Sequence, residues 1–261
     1  MRLAGKASLV TGGNRGIGCG CCRQLALEGS DVAINYLDGA DQAEALAREI
    51  EALGRKAILC PGDVSRRQDV DRIVAEAIAQ LGRIDVLVAN ASSDVRKPFL
   101  ELSEADMKHT LGVCLWGVFH TSQAVARAMV SRGEGGNIVV ISSVHAIMPL
   151  RFSLPYNTAK AAVNQMALTM ANELAGHRIR VNIVEPGWTD TPGQRKYYTE
   201  EELREGGGRL PLGRLANIEE IAKGVVFLVS DDASYITGTI LRIDGGFALP
   251  RLHRAPPRSE S

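Results

Sequence analysis

Short apolar runs of about five residues recur along the chain, separated by longer stretches in which apolar positions return every three or four residues. The short runs fall at 7–11, 31–35, 56–60, 84–88, 137–141, 180–184 and 239–243. They are near-continuously apolar rather than alternating, which predicts strands buried on both faces, as a parallel sheet requires. Helical periodicity covers 17–28, 40–53, 66–81, 103–132, 155–175 and 218–230. Strand and helix alternating in this way predict an α/β fold: a single doubly wound parallel seven-stranded sheet with helices on both faces. No repeat or linker interrupts the pattern, so residues 1–249 are read as a single domain.

Two segments break the alternation. Residues 188–216 are polar, include Gly206, Gly207 and Gly208, and are expected to form a substrate loop or lid. Residues 250–261 are rich in Pro, Arg and Ser and are expected to be a disordered tail.

Composition narrows the function classes. With 261 residues, 45% of them hydrophobic, the chain has material for a sizeable core. Lys plus Arg number 30 and Asp plus Glu 30, a balance that gives no electrostatic reason to expect nucleic acid or an anionic membrane as partner. The N-terminus has no secretory pattern and no apolar run is long enough to span a membrane, so the expected location is cytoplasmic. Five cysteines, an odd number, argue against a disulfide framework. Cys19, Cys21 and Cys22 lack zinc-ligand spacing and are expected to pack a helix on the sheet; no metal is expected.

The first strand runs into Thr11-Gly12-Gly13-Asn14-Arg15-Gly16-Ile17-Gly18. A strand that turns through glycines into a helix N-terminus aims backbone N–H groups and the helix dipole at one point, an anion site suited to a dinucleotide pyrophosphate. Farther on, Tyr156 and Lys160 stand four apart at the start of a predicted helix and share a face. A phenol, with an ordinary pKa of about 10, is a poor base at neutral pH, and a neighbouring ammonium and a helix N-terminus both favour its ionised form. Ser143, at the end of the fifth strand, is placed to hold a substrate oxygen beside Tyr156, with Ser142 as the competing serine. Nucleophilic serine hydrolysis is disfavoured, because there is no G-x-S-x-G elbow and His145 lies only two residues from Ser143.

The glycine turn (T-G-x-x-x-G-x-G), Asp63-Val64, Asn90-Ala91, Ser143, Tyr156-x-x-x-Lys160 and Pro186-Gly187, in this order, resemble the short-chain dehydrogenase/reductase family over nearly the whole chain, to about Leu249. The resemblance implies a Rossmann-like fold and hydride transfer between NAD(P) and a hydroxyl or carbonyl substrate. It makes Ser143, Tyr156 and Lys160 catalytic. It assigns the cofactor to Gly12, Asn14, Arg15, Gly16, Ile17, Gly18, Asn35, Asp63, Val64, Asn90, Tyr156, Lys160, Pro186, Gly187, Thr189 and Thr191. Within that set Asp63 and Val64 flank the adenine, while the Thr189 backbone and the Thr191 hydroxyl hold the carboxamide and diphosphate. No acidic residue ends the second strand before Asp38, and Arg15 can pair with a 2′-phosphate, so NADP is expected, with NAD possible. Cys114 stands where the family usually has an asparagine serving a proton relay, and Ser92 where it usually has glycine.

The stretch from Ser142 to Leu150 resembles the family's bacterial glucose dehydrogenases. That implies Asp94, Ser143, His145 and Tyr156 as substrate residues and a sugar or polyol as the small-molecule substrate. An alternative is a 3-oxoacyl carrier-protein reductase, whose acidic partner needs a basic patch; Arg96, Lys97, Arg127 and Arg132 are its candidates. An alternative of another class, motivated by Cys114, is an NAD(P)-binding regulatory protein without turnover. The resemblance further implies a homotetramer built through the long helices around 103–132 and 155–175 and the C-terminal strand.

Overall fold

The computed structural model describes residues 1–249; the predicted tail, 250–261, lies outside the described residues. Strands β1 (Ala7–Val10), β2 (Asp31–Tyr36), β3 (Ala57–Pro61), β4 (Val86–Ala89), β5 (Gly136–Ile141), β6 (Ile179–Pro186) and β7 (Ile240–Ile243) form one sheet in the order β3-β2-β1-β4-β5-β6-β7. All neighbours are parallel. Every residue of β1 and β4 is buried, as near-continuous apolar strands require.

Helices α1 (Gly16–Leu27), α2 (Ala40–Ala52) and α8 (Ile218–Val229) cover one face of the sheet. The other face carries α3 (Arg67–Leu81), α5 (Gly117–Arg132) and α6 (Leu154–Leu174). Cys19, Cys21 and Cys22 are buried in the first layer, and burial pushes the Cys21 thiol up to about 12. They are packing residues, as their small size suggested. Between them Gly20 faces the Ile218 carbonyl, 3.0 Å from where a Cβ would stand, so α1 and α8 approach closely.

Two expectations need correction. The long helix expected over 103–132 is interrupted: α4 (Glu104–Leu111) passes through a π-helical turn, Gly112–Trp116, into α5. The segment 188–216 is not a plain loop. It holds a short 3-10 turn, Pro192–Lys196, and helix α7 (Glu200–Gly208), which begins with a Thr199–Glu202 capping box and ends in the three glycines. Trp188 lies against Gly206, where a Cβ would clash with its ring, so the glycine run serves close packing.

Parallel strands direct all their carboxyl ends to one edge, and chain order reverses between β1 and β4 there, which is where open α/β sheets bind ligands. Behind that edge, Glu185 on β6 is fully buried. It accepts hydrogen bonds from Asn164 of α6 (2.7 Å) and Arg242 of β7 (2.9 Å), locking helix and strands together one turn beyond Lys160. At the turn itself, a Cβ on Gly18 would press on the Gly12 carbonyl and stand 2.6 Å from Asn90 Nδ2. Gly18→Ala is expected to lower unfolding free energy by about 2 kcal/mol, read from urea denaturation midpoints.

Candidate active site

The glycine turn is held in shape by asparagines. Gly12 and Gly16 adopt φ of 60° and 54°, conformations that other L-residues rarely take. Asn90 Nδ2 donates to the carbonyls of Thr11 (2.9 Å) and Gly12 (3.1 Å). Asn35 accepts from Gly12 N (3.3 Å) and donates to the carbonyls of Cys60 and Gly62. Asn14 donates to the carbonyls of Asp38 (2.7 Å) and Gly39 (3.1 Å). The Nδ2 groups of all three are therefore committed to backbone carbonyls. These side chains buttress the turn from which a cofactor would be held.

The first backbone bond returning into α1 runs from Cys19 N to Arg15 O (3.2 Å). Among the described residues the amides of Gly16, Ile17 and Gly18 take no partner ahead of it, leaving three donors for an anion at the helix N-terminus. Thr191 reaches the same spot, its Cγ2 3.5 Å from where a Gly16 Cβ would lie. Thr189 is buried and bridges to Ala216, joining the two ends of segment 188–216, and Gly187 packs against Asp244 too closely for any side chain. On the β3 side, the Asp63 carboxylate accepts from Ser65 N (2.9 Å) and Val64 is buried against Gly117. The Arg15 side chain, exposed on the solvent side of the turn, pairs with Asp38 at 2.8 Å. Open amides over a glycine cradle too tight for side chains fit a dinucleotide pyrophosphate.

The three candidate catalytic side chains come from two elements at that edge. Ser142 and Ser143 follow β5, while Tyr156 and Lys160 lie in the first turns of α6, which Pro155 helps to start. The two serines differ. Ser142 is buried and donates to the Lys160 carbonyl (3.3 Å), so it braces the helix. Ser143 Oγ accepts from His145 N (3.2 Å), so its own hydrogen points elsewhere, toward the Tyr156 side where a substrate oxygen would lie. Lys160 is 1% exposed and donates from Nζ to the Ile141 carbonyl at 2.8 Å, its ammonium 5.2 Å from the Tyr156 ring centre.

Burial opposes the charged forms of both Tyr156 and Lys160. Burial is the largest influence on both groups: it raises the phenol well above its ordinary value, with Cys114 and Asp94 adding to the rise and the Ser143 hydroxyl opposing it. Burial likewise lowers the Lys160 ammonium. Desolvation thus acts against the charged form of each group.

The π-helical turn explains Cys114. Gly117 N donates to Gly112 O, five residues back, and this widened turn presents the fully buried Cys114 toward the loop after β4. Its Sγ donates to the Ser93 carbonyl (3.1 Å) and accepts from Ser93 N (3.3 Å). One thiol thus satisfies both backbone groups of one residue, an arrangement an amide side chain can also make.

On the substrate side, Asp94 Oδ2 pairs with Arg96 Nε at 2.8 Å, while Oδ1 is buried and takes no partner among the described residues. The Arg96 guanidinium lies 3.9 Å from the Tyr197 ring centre and donates to Tyr198 OH (3.2 Å). Tyr197 OH in turn donates to the Asp94 carbonyl (3.0 Å). Segment 188–216 is therefore tied to the loop after β4 by one arginine and two tyrosines, and Tyr198 continues into Trp188 at 5.1 Å between ring centres. Tyr197 and Tyr198 are separated from Asp94 by about a hundred residues, and nothing in the sequence marks them as neighbours. His145 stands edge-on to Tyr156, ring centres 5.2 Å apart.

A glycine-cradled anion site beside a Ser-Tyr-Lys cluster, at the switch point of a parallel sheet, defines a dinucleotide-dependent α/β enzyme. A family model described as enoyl-(acyl carrier protein) reductase matches residues 12–248. An L-rhamnose 1-dehydrogenase (NAD(P)(+)) of Sphingomonas sp. (strain SKA58) is 40% identical, the match covering 94% of this chain and 96% of that one. A 3-oxoacyl-[acyl-carrier-protein] reductase of Thermotoga maritima is 37% identical over 95% of this chain and 100% of that one. Among solved structures, a short-chain type dehydrogenase/reductase from Mycobacterium marinum superposes with a TM-score of 0.90 at 34% identity, covering 95% of this chain and 97% of that one. The chain belongs to the short-chain dehydrogenase/reductase family. It is an NAD(P)-dependent oxidoreductase acting on CH–OH groups.

The Cys114 geometry makes an expected outcome concrete. Cys114→Ala, which strands both Ser93 backbone groups, should lower unfolding free energy by about 2 kcal/mol. Cys114→Asn, which can restore both bonds, should keep turnover at or above that of the parent. Paired thermal melts and steady-state rates check this, and a collapse of the Asn variant alone would show a specific need for the thiol.

Proposed function

We propose that the protein is a sugar or polyol dehydrogenase that prefers NADP, with Tyr156 as acid/base, Ser143 holding the substrate oxygen and Lys160 supporting both. The observation that carries the substrate class is Asp94 Oδ1: a buried carboxylate oxygen without a partner, whose other oxygen is fixed by Arg96. A buried acceptor left unpaired costs about 1–3 kcal/mol, which a substrate hydroxyl donating to it would recover. The rhamnose dehydrogenase relative supports the same class.

The acyl-carrier alternative has less support. It needs exposed cations, yet Arg96 is engaged with Asp94 and Tyr198, Lys97 with Asp106 (2.8 Å) and Arg132 with Asp85 (3.1 Å). Of the four candidate cations only Arg127 has no ion pair among the described residues. The reading without turnover loses its motive, because Cys114 makes a two-way bond of the kind an amide makes.

A bound oxidised nicotinamide supplies a positive charge and a hydride acceptor at C4. In the oxidation direction Ser143 donates to the substrate oxygen, Tyr156 takes its proton, and Lys160 adds positive charge beside the phenol. Residues Gly16, Ile17 and Gly18 would hold the pyrophosphate, and Asp63 and Val64 would flank the adenine. For cofactor choice, Arg15 is free to leave Asp38 for a 2′-phosphate: their pair is exposed on both sides, and such pairs are worth at most about 1 kcal/mol.

A homotetramer is supported by apolar surface on the same elements: Trp116 and Val130 are exposed along the π turn and α5, and Ile240 on the edge strand β7. Among the described residues no helix is long and apolar enough to cross a membrane. A cytoplasmic location is supported by the free thiols of Cys19, Cys21, Cys22, Cys60 and Cys114, which suit a reducing compartment.

Two measurements test this reading. A panel of aldoses, polyols and 3-oxoacyl thioesters is followed by nicotinamide absorbance with each cofactor. The expected result is turnover of an aldose, a lower KM for NADP than for NAD, and loss of that difference in Arg15→Ala. Turnover confined to thioesters would overturn it. Second, because burial raises the phenol, kcat/KM for oxidation is expected to climb with pH through the alkaline range rather than level off at neutrality. Tyr156→Phe should lower kcat by about a thousandfold.

A further inference from the structure

His145 is held by a short relay that the Ser-Tyr-Lys chemistry does not use. Its Nδ1 lies 2.7 Å from Asn157 Oδ1. Asn157 in turn donates from Nδ2 to the Leu150 carbonyl at 2.9 Å. That carbonyl can only accept, so it fixes which end of the amide faces each way: the NH₂ toward Leu150 and the oxygen toward His145. An amide oxygen can only accept as well, so the imidazole nitrogen facing it carries the hydrogen. In a neutral ring the other nitrogen, Nε2, is then a bare acceptor, and among the described residues it takes no hydrogen bond.

We propose that Asn157 is a positioning residue that holds His145 as the Nδ1–H tautomer, so that Nε2 offers a lone pair to a second substrate hydroxyl beside Tyr156. This deepens the sugar reading and rests on it for the identity of the ligand. Two acceptors then flank the reacting centre, Asp94 Oδ1 and His145 Nε2, while the Ser143 hydroxyl serves as donor. Such a set selects a substrate with hydroxyl donors on carbons next to the one that reacts, as in an aldose. It gives nothing to a 3-oxoacyl chain, whose neighbouring positions carry no hydroxyl.

The surroundings favour the neutral ring. Asp94 and Arg96 face His145 from the loop after β4, and Tyr156 and Lys160 from α6. Burial is the largest influence and lowers the imidazole. Arg96 and Lys160 act the same way, while Asn157 and Asp94 oppose them.

The tautomer is read directly by nitrogen-15 correlation spectra of the imidazole in wild-type protein labelled at histidine, near neutral pH and without substrate. Hydrogen on Nδ1 only is expected; hydrogen on Nε2, alone or in an imidazolium, overturns the proposal. Kinetics with the aldose turned over best provide the second test. Asn157→Leu, which releases the ring, should raise KM about tenfold, and by more than it changes kcat. Asn157→Asp keeps an acceptor but adds a charge that favours imidazolium, turning Nε2 into a donor. Its KM should fall as pH rises from about 6 to about 9, while the parent stays flat. Parent-like KM values at every pH in both variants would overturn the proposal. If the parent turned over no aldose, the sugar reading would fail, and the spectra would still decide the tautomer.

Discussion

The site depends on one buried ammonium. Lys160 has almost no contact with solvent, and its one fixed hydrogen bond among the described residues goes to the last carbonyl of β5. Burying an amine this deeply costs free energy unless its donors are used, and the strand end supplies the first acceptor. That bond, the Ser142 hydroxyl on the Lys160 carbonyl and the Asn164–Glu185–Arg242 link draw α6 down onto the carboxyl edge of the sheet. Tyr156, one turn earlier, is thereby set beside Ser143.

The same edge concentrates everything else the enzyme needs. A parallel sheet ends all its strands together, so the loops after β1, β4, β5 and β6 must meet. Asparagine amides stiffen the first of these loops from three directions, leaving the amides at the start of α1 for an anion. Rigidity there comes from side chains that hydrogen-bond to backbone.

Opposite the cofactor side the design is looser. Segment 188–216 is joined to the loop after β4 by aromatic and guanidinium contacts at partly exposed positions. On the loops after β4 and β5, Asp94 is fixed by Arg96 and His145 by Asn157.

Strand and helix placement, the parallel sheet and the Ser143-Tyr156-Lys160 group were all legible in the sequence, because each is encoded locally: apolar runs, helical period, and glycines where the backbone must turn tightly. The π turn at Cys114 was not, since a five-residue bond in a helical period leaves no mark on the apolar pattern. Nor were Tyr197, Tyr198 and Asn157, whose partners lie across loops or depend on which way an amide points. Depth of burial also escaped the sequence: spacing places Lys160 next to Tyr156, but only the tertiary structure shows that desolvation acts against the charged form of each. The sequence by itself determined which elements form and what chemistry they carry. Tertiary structure alone decided which polar groups were already spent on the backbone and which remained free for a ligand, because that depends on contacts between segments far apart in the chain.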